Sequence, residues 1–446
     1  MFRKRDEDQK ANASMSQDPK TSAHEEAKEE HYSFLQETFK DEQMTGRKLT
    51  NIICQTAGKG LIFGLAACLA FYALRPWAET IFTEKNRTVS IPEDEEPDEG
   101  ENVSQEEVTE EPKMEAAIEY PELTIEDYRE MNRALYQVAV QAGKSVVEVG
   151  AVKDTENWEN SLYDDVNSVS GMIVWENPLE VLILAPARIL SDAKSLNVTF
   201  ADGAKYPASL KKQDKNVGMA VFSVEKKNLS NSTESQIQTA TLGNSNIIGK
   251  GDPVIVLGKQ FGYAGGTGYG IISSLKNRIA VADGEYRLLT TDIAAAPGGS
   301  GVLFNMSGEV IGIVDQKITD NESMNLVTAY AVSDLKQYIE QLSNGKSIPY
   351  IGIKGVEVPD SVAETDGIPE GIYVKEVEAD SPAMKAGIQS GDVIVELNKN
   401  QISTVSGYGK RLMECEVGQQ IKVKGKRQGA SGYVDVEFTV TVGSKE

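Results

Sequence analysis

The sequence predicts a mainly β fold in two consecutive domains, preceded by one apolar segment and an acidic spacer. From Ser145 onward, short runs rich in Val, Ile and Leu alternate with turns of Gly, Asn and Asp, a spacing typical of a β-barrel or β-sandwich. A second series of strands begins near Ile348 and encloses two short helical patterns, which indicates a small, partly open barrel of about 100 residues, a normal domain size. The length of 446 residues accommodates two or three domains.

The apolar segment GLIFGLAACLAFYAL, residues 60–74, predicts a membrane anchor. Its 15 residues fall short of the roughly 20 that cross a bilayer, but extension on either side supplies the rest, and we predict a transmembrane helix within residues 51–82. A signal peptide is disfavoured because the run begins near residue 60, and a core helix because no side of it is charged. Slightly more Lys and Arg precede the run than follow it, which favours a cytoplasmic N-terminus. The polar residues 1–50 then form a cytoplasmic tail.

Residues 83–122 are predicted to be a disordered acidic linker. Residues 93–111 include 11 Asp or Glu and no Lys or Arg, so this stretch repels itself and cannot bury a core. The following segment, TIEDYREMNRALYQVAVQAG, predicts a helix. Thr124 can cap it, Asp127 lies in its first turn, and apolar residues recur at helical spacing until Gly143.

The two β domains are recognised by their strand patterns. Strands of the first are predicted at SVVEVGAV, SGMIV, LEVLILA, LNVTF, MAVFSV, PVIVLG and GEVIGIV. Those of the second are predicted at YIGIKGV, GIYVKEV, DVIVELN, QIKVKGK and VDVEFTVTV, with helical pieces at SPAMKAG and GYGKRLME.

Composition excludes several classes of function. The net charge of −23 argues against a nucleic-acid-binding protein, which normally carries a basic face. Three cysteines with wide spacing supply neither a disulfide framework nor a metal site, and no cofactor is predicted. The two histidines, His24 and His31, both lie in the N-terminal tail.

The stretch TTDIAAAPGGSGVLF places Ser300 between glycines at the start of an apolar strand. Pattern alone allows two interpretations: a tight turn that exposes a nucleophile, or an ordinary glycine-rich hairpin. With SGMIV, VTFADGAKYPASL, GYGIISSL and AYAVSDLKQYIEQL in matching order, the stretch resembles the nucleophile segment of the trypsin-like HtrA/DegP serine proteases. YIGI followed by ADSPAMKAGIQSGDVIVELN resembles the PDZ domain that follows such protease domains. The resemblance covers about residues 124–446. It implies a trypsin-like double six-stranded β-barrel in residues 123–345 and a PDZ domain in residues 346–446.

The resemblance also implies a catalytic triad, of which this sequence keeps one member. Ser300 matches the nucleophile, and the backbone N–H groups of Gly298 and Ser300 match the oxyanion donors. Arg188 stands where the family has histidine, and Gly218 stands where it has aspartate. A guanidinium stays protonated and cannot act as a base. We therefore predict a pseudoprotease. The alternative is an active HtrA-type endopeptidase in envelope protein quality control, whose base would be a lysine with a pKa lowered by burial.

The resemblance assigns peptide binding to the second domain. In PDZ domains a peptide adds as a strand, and backbone N–H groups of a loop capture its terminal carboxylate. The corresponding loop here consists of Tyr350, Ile351, Gly352 and Ile353. The helix beside the groove presents Tyr408 and Leu412, although both residues also suit ordinary core packing. A Gly352→Val substitution is expected to block the carboxylate without unfolding the domain.

The partners implied by the resemblance are peptides or unfolded proteins, including their C-termini. A homotrimer, or an assembly with active relatives, is also among them. The membrane is contacted through the single span, and the protease-fold and PDZ domains are expected outside the cytoplasm.

Overall fold

The computed structural model describes residues 88–94, 123–152, 167–191, 193–317 and 325–446. The predicted tail, the predicted anchor and most of the predicted linker lie outside these residues. Within the described ranges, no helix is long and apolar enough to cross a membrane. All described residues belong to one compact unit, Glu84–Glu446.

Helix α1, Ile125–Gly143, occupies the predicted position. Thr124 Oγ1 accepts a hydrogen bond from Asp127 N (3.2 Å), and the Asp127 carboxylate accepts one from Thr124 N (2.8 Å), which completes a capping box. Ala139 and Ala142 are buried, whereas Tyr128 is exposed. The helix therefore packs against the rest of the protein through its C-terminal half.

Two closed six-stranded barrels follow. The first has the strand order β1-β2-β3-β6-β5-β4, and the second has β10-β11-β12-β9-β8-β7. The first barrel is formed by β1 Val146–Val152, β2 Ser168–Glu176, β3 Glu180–Pro186, β4 Ser195–Thr199, β5 Lys205–Asp214 and β6 Met219–Glu225, after which comes the short helix α2 Asn231–Gln236. The second is formed by β7 Pro253–Gly258, β8 Gly266–Val281, β9 Gly284–Ala294, β10 Ser300–Phe304, β11 Val310–Asp315 and β12 Leu326–Ala331. The double barrel expected from the resemblance is confirmed.

The barrels have separate interiors and a shared interface. Ile183 and Phe222 lie in the core of the first barrel, and Leu289 lies in that of the second. A third apolar cluster, with Met172 of β2 and Ile255 of β7, joins the two barrels. Because strands at this interface are covered on both faces, β2 and β10 are buried almost throughout, and their sequences are nearly continuous in small and apolar residues.

The C-terminal domain is a sheet with the order β13-β14-β15-β17-β18, to which β16 adds beside β15. The strands are β13 Ile353–Glu357, β14 Ile372–Val377, β15 Val393–Leu397, β16 Asn400–Gln401, β17 Gln420–Gly429 and β18 Gly432–Thr441. Helix α3, Lys336–Ser343, precedes the domain, which contains α4 Asp360–Asp366, α5 Pro382–Ala386 and α6 Val405–Met413. Ile351, Val374 and Phe438 belong to its own core. The predicted strands and two of the three helices are in place, and α4 was not predicted.

Residues 88–94 form a strap against helix α3. Val89 is buried and is held by Asn344, whose side chain accepts from Val89 N and donates to Val89 O, both at 2.8 Å. The Asp94 carboxylate accepts from Lys336 Nζ (2.7 Å) and Ser333 Oγ (2.5 Å). The prediction of a disordered linker over residues 83–122 therefore does not hold for residues 88–94.

A long hairpin extends from the second barrel towards the C-terminal domain. Strand β8 pairs with β7 as far as Ile271, and β9 pairs with β12 from Leu288 onward. Between these points, residues 277–287 form what we call the hairpin arm, in which β8 and β9 pair with each other and the pair Val281–Gly284 closes the tip. The tip residues are Ala282 and Asp283, and this position brings them to the C-terminal domain.

Candidate functional site

Ser300, the predicted nucleophile, begins β10 at the interface between the barrels. Its side chain is fully buried, and its Oγ accepts a hydrogen bond from Ser170 N at 2.9 Å. Its carbonyl oxygen accepts from Lys259 N (2.8 Å) and from Ser170 Oγ (3.3 Å). The hydroxyl is thus held against β2 of the first barrel.

The loop before Ser300 depends on glycine at two positions. Gly298 has φ +70°, a conformation that glycine adopts without strain. At Gly299 a Cβ would lie 2.6 Å from the carbonyl oxygen of Gln260, so no side chain fits there. The Ser300 N–H, one of the two predicted oxyanion donors, makes a long contact of 3.4 Å with the carbonyl oxygen of Lys259.

Arg188 lies in the 3₁₀ turn Ala187–Leu190 directly after β3. Its Nη2 donates to the carbonyl oxygen of Gly298 (2.8 Å), and its Nε donates to Asp315 Oδ1 (3.1 Å). Burial raises the pKa of the Asp315 carboxyl, and the neighbouring guanidinium counteracts that rise. At the position predicted to match the family's histidine, the chain therefore places a cation that ties the loop before Ser300 to β11.

Gly218 lies in the turn before β6, and its backbone contacts that of Ala187, the residue before Arg188. Its carbonyl oxygen accepts from Ala187 N at 2.8 Å, and its φ is +79°. The space around it is open, since a Cβ would meet no atom within 4 Å. Asp214, the last residue of β5, is buried, and its carboxylate accepts from Val217 N (2.9 Å) and Tyr338 Oη (3.0 Å). The structure thus brings the three positions predicted for the triad to one region, with glycine at residue 218.

Lys259 is a buried lysine beside Ser300 that sequence patterns did not single out. Its backbone exchanges contacts with Ser300, and its Nζ donates to Ser168 Oγ at 2.7 Å. Ser168 also donates to Glu148. A lysine in a turn is usually exposed, so the sequence around Lys259 does not indicate that its side chain is buried.

The loop predicted to capture a carboxylate does surround one, and it belongs to Asp283 at the tip of the hairpin arm. The backbone N–H groups of Ile351 and Gly352 donate to Asp283 Oδ2 at 2.6 and 2.7 Å, and that of Ile353 donates to Oδ1 at 3.0 Å. Tyr408 Oη donates to Oδ1 at 2.6 Å. A φ of +92° at Gly352 lets the three N–H groups converge.

The structure also gives the positions of the other residues predicted to bind the peptide. Tyr408 and Leu412 are both buried on helix α6 and belong to the domain core. Tyr350 donates its hydroxyl to Glu378 Oε2 (2.5 Å), and burial raises the pKa of its phenol. Tyr408 therefore contacts the captured carboxylate, whereas Leu412 contributes core packing.

The expectation that Gly352→Val leaves the domain folded is wrong. A Cβ at Gly352 would lie 2.4 Å from the Cβ of Ser381 and 2.7 Å from Tyr350 Oη. Ser381 is buried and caps helix α5, so it cannot move aside freely. The sequence shows the need for glycine but not the contact that makes it strict.

Comparison with known proteins agrees with this architecture. Residues 169–313 match the trypsin-like peptidase domain, and residues 349–438 match the PDZ domain. The serine protease Do-like HtrB of Bacillus subtilis is 32% identical over 289 residues, which cover 60% of this chain and 62% of that relative. The chain is homologous to the HtrA/DegP serine proteases. A second HtrA/DegP relative, the probable periplasmic serine endoprotease DegP-like of Halomonas elongata, is 30% identical, with 61% of this chain and 56% of the relative covered. The chain thus spans less than two thirds of the length of either relative.

Solved structures of HtrA-type proteases share the fold. The HtrA-type protease AlgW with tripeptide superposes with a TM-score of 0.51 at 24% identity, over 70% of this chain and 97% of that one. AlgW with decapeptide gives a TM-score of 0.50 at 22% identity, over 70% of this chain and 99% of that one.

Three residues of the candidate sites were not predicted from the sequence: Asp283, Lys259 and Asp315. For Asp283 the sequence signal is the turn ADG, which indicates a hairpin tip but not its burial.

Proposed function

We propose that this chain is a membrane-anchored HtrA-like pseudoprotease whose PDZ domain binds peptides or unfolded proteins. The observation that carries the proposal is the position of Arg188. Its guanidinium donates hydrogen bonds to Gly298 and Asp315, and it has no lone pair with which to accept the proton of Ser300. Neither histidine of the sequence lies after residue 31, so no imidazole of the same barrel replaces it.

The state of Ser300 supports the same proposal. A nucleophile must reach a substrate carbonyl and pass its proton to a base. Here the hydroxyl is buried and accepts from Ser170 N, an arrangement that suits packing between the barrels. Removal of the base from a serine triad lowers the rate by several orders of magnitude even when the nucleophile is well placed.

The second candidate function is an active endopeptidase with a lysine base. Lys259 favours it, because its side chain is buried and its backbone lies against that of Ser300. Its ammonium, however, donates to Ser168 Oγ at 2.7 Å, and the Ser300 hydroxyl is held by Ser170 N. We therefore prefer the pseudoprotease, and the two candidates separate in one experiment.

The purified full chain is expected to show no Ser300-dependent labelling by a fluorophosphonate probe, since no base activates the hydroxyl. Labelling is measured by in-gel fluorescence, with Ser300→Ala as the matched control and a trypsin sample as the positive control. Labelling that disappears in Ser300→Ala would contradict the pseudoprotease. If it also disappears in Lys259→Met, a variant confirmed to be folded, activation of Ser300 by the lysine would be established, as the second candidate function requires.

Peptide binding is supported by the donor geometry of the PDZ loop. Three consecutive N–H groups and the Tyr408 hydroxyl surround a carboxylate, which is the chemistry that recognises a C-terminal residue. The similar AlgW structures contain a tripeptide and a decapeptide, respectively. We propose peptides with a free C-terminus as ligands.

A homotrimer, or an assembly with active relatives, is part of the same proposal, and light scattering of the full chain tests it.

Residues 51–82 are proposed to anchor the chain, with residues 1–50 in the cytoplasm and the folded domains outside. On intact cells, added protease is expected to remove a tag at the C-terminus and to leave a tag at the N-terminus intact, because the membrane shields only the tail. Both tags are followed by immunoblot, and a cytoplasmic protein reports cell integrity. Protection of the C-terminal tag would contradict this topology.

A further inference from the structure

The PDZ carboxylate loop is filled by a residue of its own chain. Asp283 is buried, and each of its carboxylate oxygens accepts hydrogen bonds from two donors of the C-terminal domain. Burial raises the pKa of the Asp283 carboxyl, and these donated hydrogen bonds counteract the rise. The contact is therefore a complete binding site for a carboxylate rather than an incidental surface contact.

The main chain of Asp283 also contacts the PDZ domain as the C-terminal residue of a bound peptide would. Its N–H donates to the carbonyl oxygen of Ile353, the first residue of β13, at 2.7 Å. A peptide that adds as a strand beside β13 makes a main-chain hydrogen bond of the same kind while its carboxylate enters the loop. One residue thus presents both a carboxylate and an N–H to the positions that a C-terminal residue would use.

The backbone of the tip is adapted to this contact. Asp283 has φ +62°, a left-handed conformation that Asp and Asn tolerate better than most residues. Helix α6 passes close by, and a Cβ at Gly409 would lie 3.4 Å from the carbonyl oxygen of Asp283. Two glycines, Gly352 and Gly409, therefore border the space into which the tip fits.

The hairpin arm is also held from the barrel side. Asn216 Nδ2 donates to the carbonyl oxygen of Ala282 at 2.6 Å, and Arg287 forms an ion pair with Asp334 at 2.5 Å. Beside the tip, the arm and helix α6 line a cleft of about 810 Å³, together with Glu93 and Asp94 of the strap and with part of helix α3. The arm is thus positioned at the carboxylate loop by its own contacts.

We infer that Asp283 is an internal ligand of the PDZ carboxylate loop and that C-terminal peptides bind in competition with it. This inference rests on the proposed peptide-binding function of the same domain. When a site is open in only a fraction of molecules, the apparent dissociation constant rises by the inverse of that fraction. An arm that occupies the loop in about 90 to 99% of molecules therefore weakens peptide binding about 10- to 100-fold.

The chain provides a matched control for the test. The sequence ADG occurs at two hairpin tips, and Asp202 of the first barrel is exposed, where it accepts from Ala204 N at 3.0 Å. Asp283→Asn keeps the size and the left-handed backbone but brings an amide N–H₂ towards donors. Asp283→Gly removes the side chain without backbone strain. Asp202→Asn makes the same chemical change away from the PDZ domain.

The test compares the full-length wild type with these three variants in fluorescence anisotropy. The probe is a fluorescein-labelled pool of degenerate decapeptides with a free C-terminus, and the amidated pool is its control. Hydrogen exchange of the peptide that contains residues 351–353 reports in parallel whether the loop has lost its internal ligand. Both Asp283 variants are expected to bind the free-carboxylate pool at least about 10-fold more tightly than the wild type and Asp202→Asn, and to exchange faster at the loop.

The outcomes distinguish the inference from the function on which it rests. Measurable and equal affinities in all four proteins, or unchanged exchange at the loop in both Asp283 variants, would overturn the internal ligand. Faster exchange at the loop, with no peptide binding by any variant, would support Asp283 as the internal ligand and overturn peptide binding as the function of the domain.

Discussion

Gly352→Ala is expected to destabilise the PDZ domain by about 2 to 5 kcal/mol and to abolish carboxylate capture. A side chain in the left-handed region costs roughly 1 to 2 kcal/mol. Overpacking adds about 1 to 3 kcal/mol, because the new Cβ would lie 2.4 Å from the Cβ of Ser381. The displaced backbone would also turn the N–H of Gly352 away from its acceptor.

Gly387→Ala separates these two effects. Its φ of +89° is close to the +92° of Gly352, but a Cβ there would meet no atom within 4 Å. It is therefore expected to show the backbone cost alone. The free energy of unfolding of the domain is read by hydrogen exchange in increasing urea, on peptides from β14, β15 and β17. Equal losses in the two variants would show that the contact with Ser381 is not limiting.

Asp392→Ala is expected to lower the free energy of unfolding of the same domain by about 3 kcal/mol. Asp392 is fully buried, and it receives a two-point ion pair from Arg427, with Nε–Oδ1 at 2.6 Å and Nη2–Oδ2 at 2.8 Å. It also accepts from Gln389 N at 2.9 Å. Its removal leaves an arginine and a backbone donor without this acceptor. Because the Arg427 side chain is 32% exposed, the expected cost lies at the lower end for broken buried ion pairs.

The control for Asp392 is Asp435→Ala. Asp435 pairs with Lys426 on the neighbouring strand, but its side chain is 88% exposed. Exposed ion pairs contribute little to stability, so no measurable change is expected by the same urea-dependent exchange. A similar loss in both variants would mean that burial does not determine the strength of these pairs.

The fold was largely predictable because it depends on local patterns. Apolar runs separated by Gly, Asn and Asp turns marked the strands, and Thr124 with Asp127 marked the start of α1. The strap at residues 88–94 was not predictable, since its affinity for α3 comes from single side chains such as Val89 and Asn344 within a strongly acidic stretch. The composition of the stretch reports its average charge and polarity, whereas its contact with α3 depends on one or two individual side chains.

The backbone conformations of the candidate site were predictable from the sequence, but the residues that contact it were not. Glycine patterns located the turn before Ser300 and the loop around Gly352, because both need conformations that other residues avoid. The contacts of Arg188 with Asp315, and of Asp283 with the PDZ loop, join residues 127 and about 70 positions apart in sequence. Such pairs have no periodicity, so only the folded chain reveals them.

The strap also determines where a mechanical load enters the molecule. A pull on the chain before Thr88 is transmitted through Val89 to Asn344 and through Asp94 to Lys336, at the two ends of helix α3. That helix is the last element before the C-terminal domain. Tension from a tethered N-terminus would therefore reach helix α3, at the junction between the two folded domains.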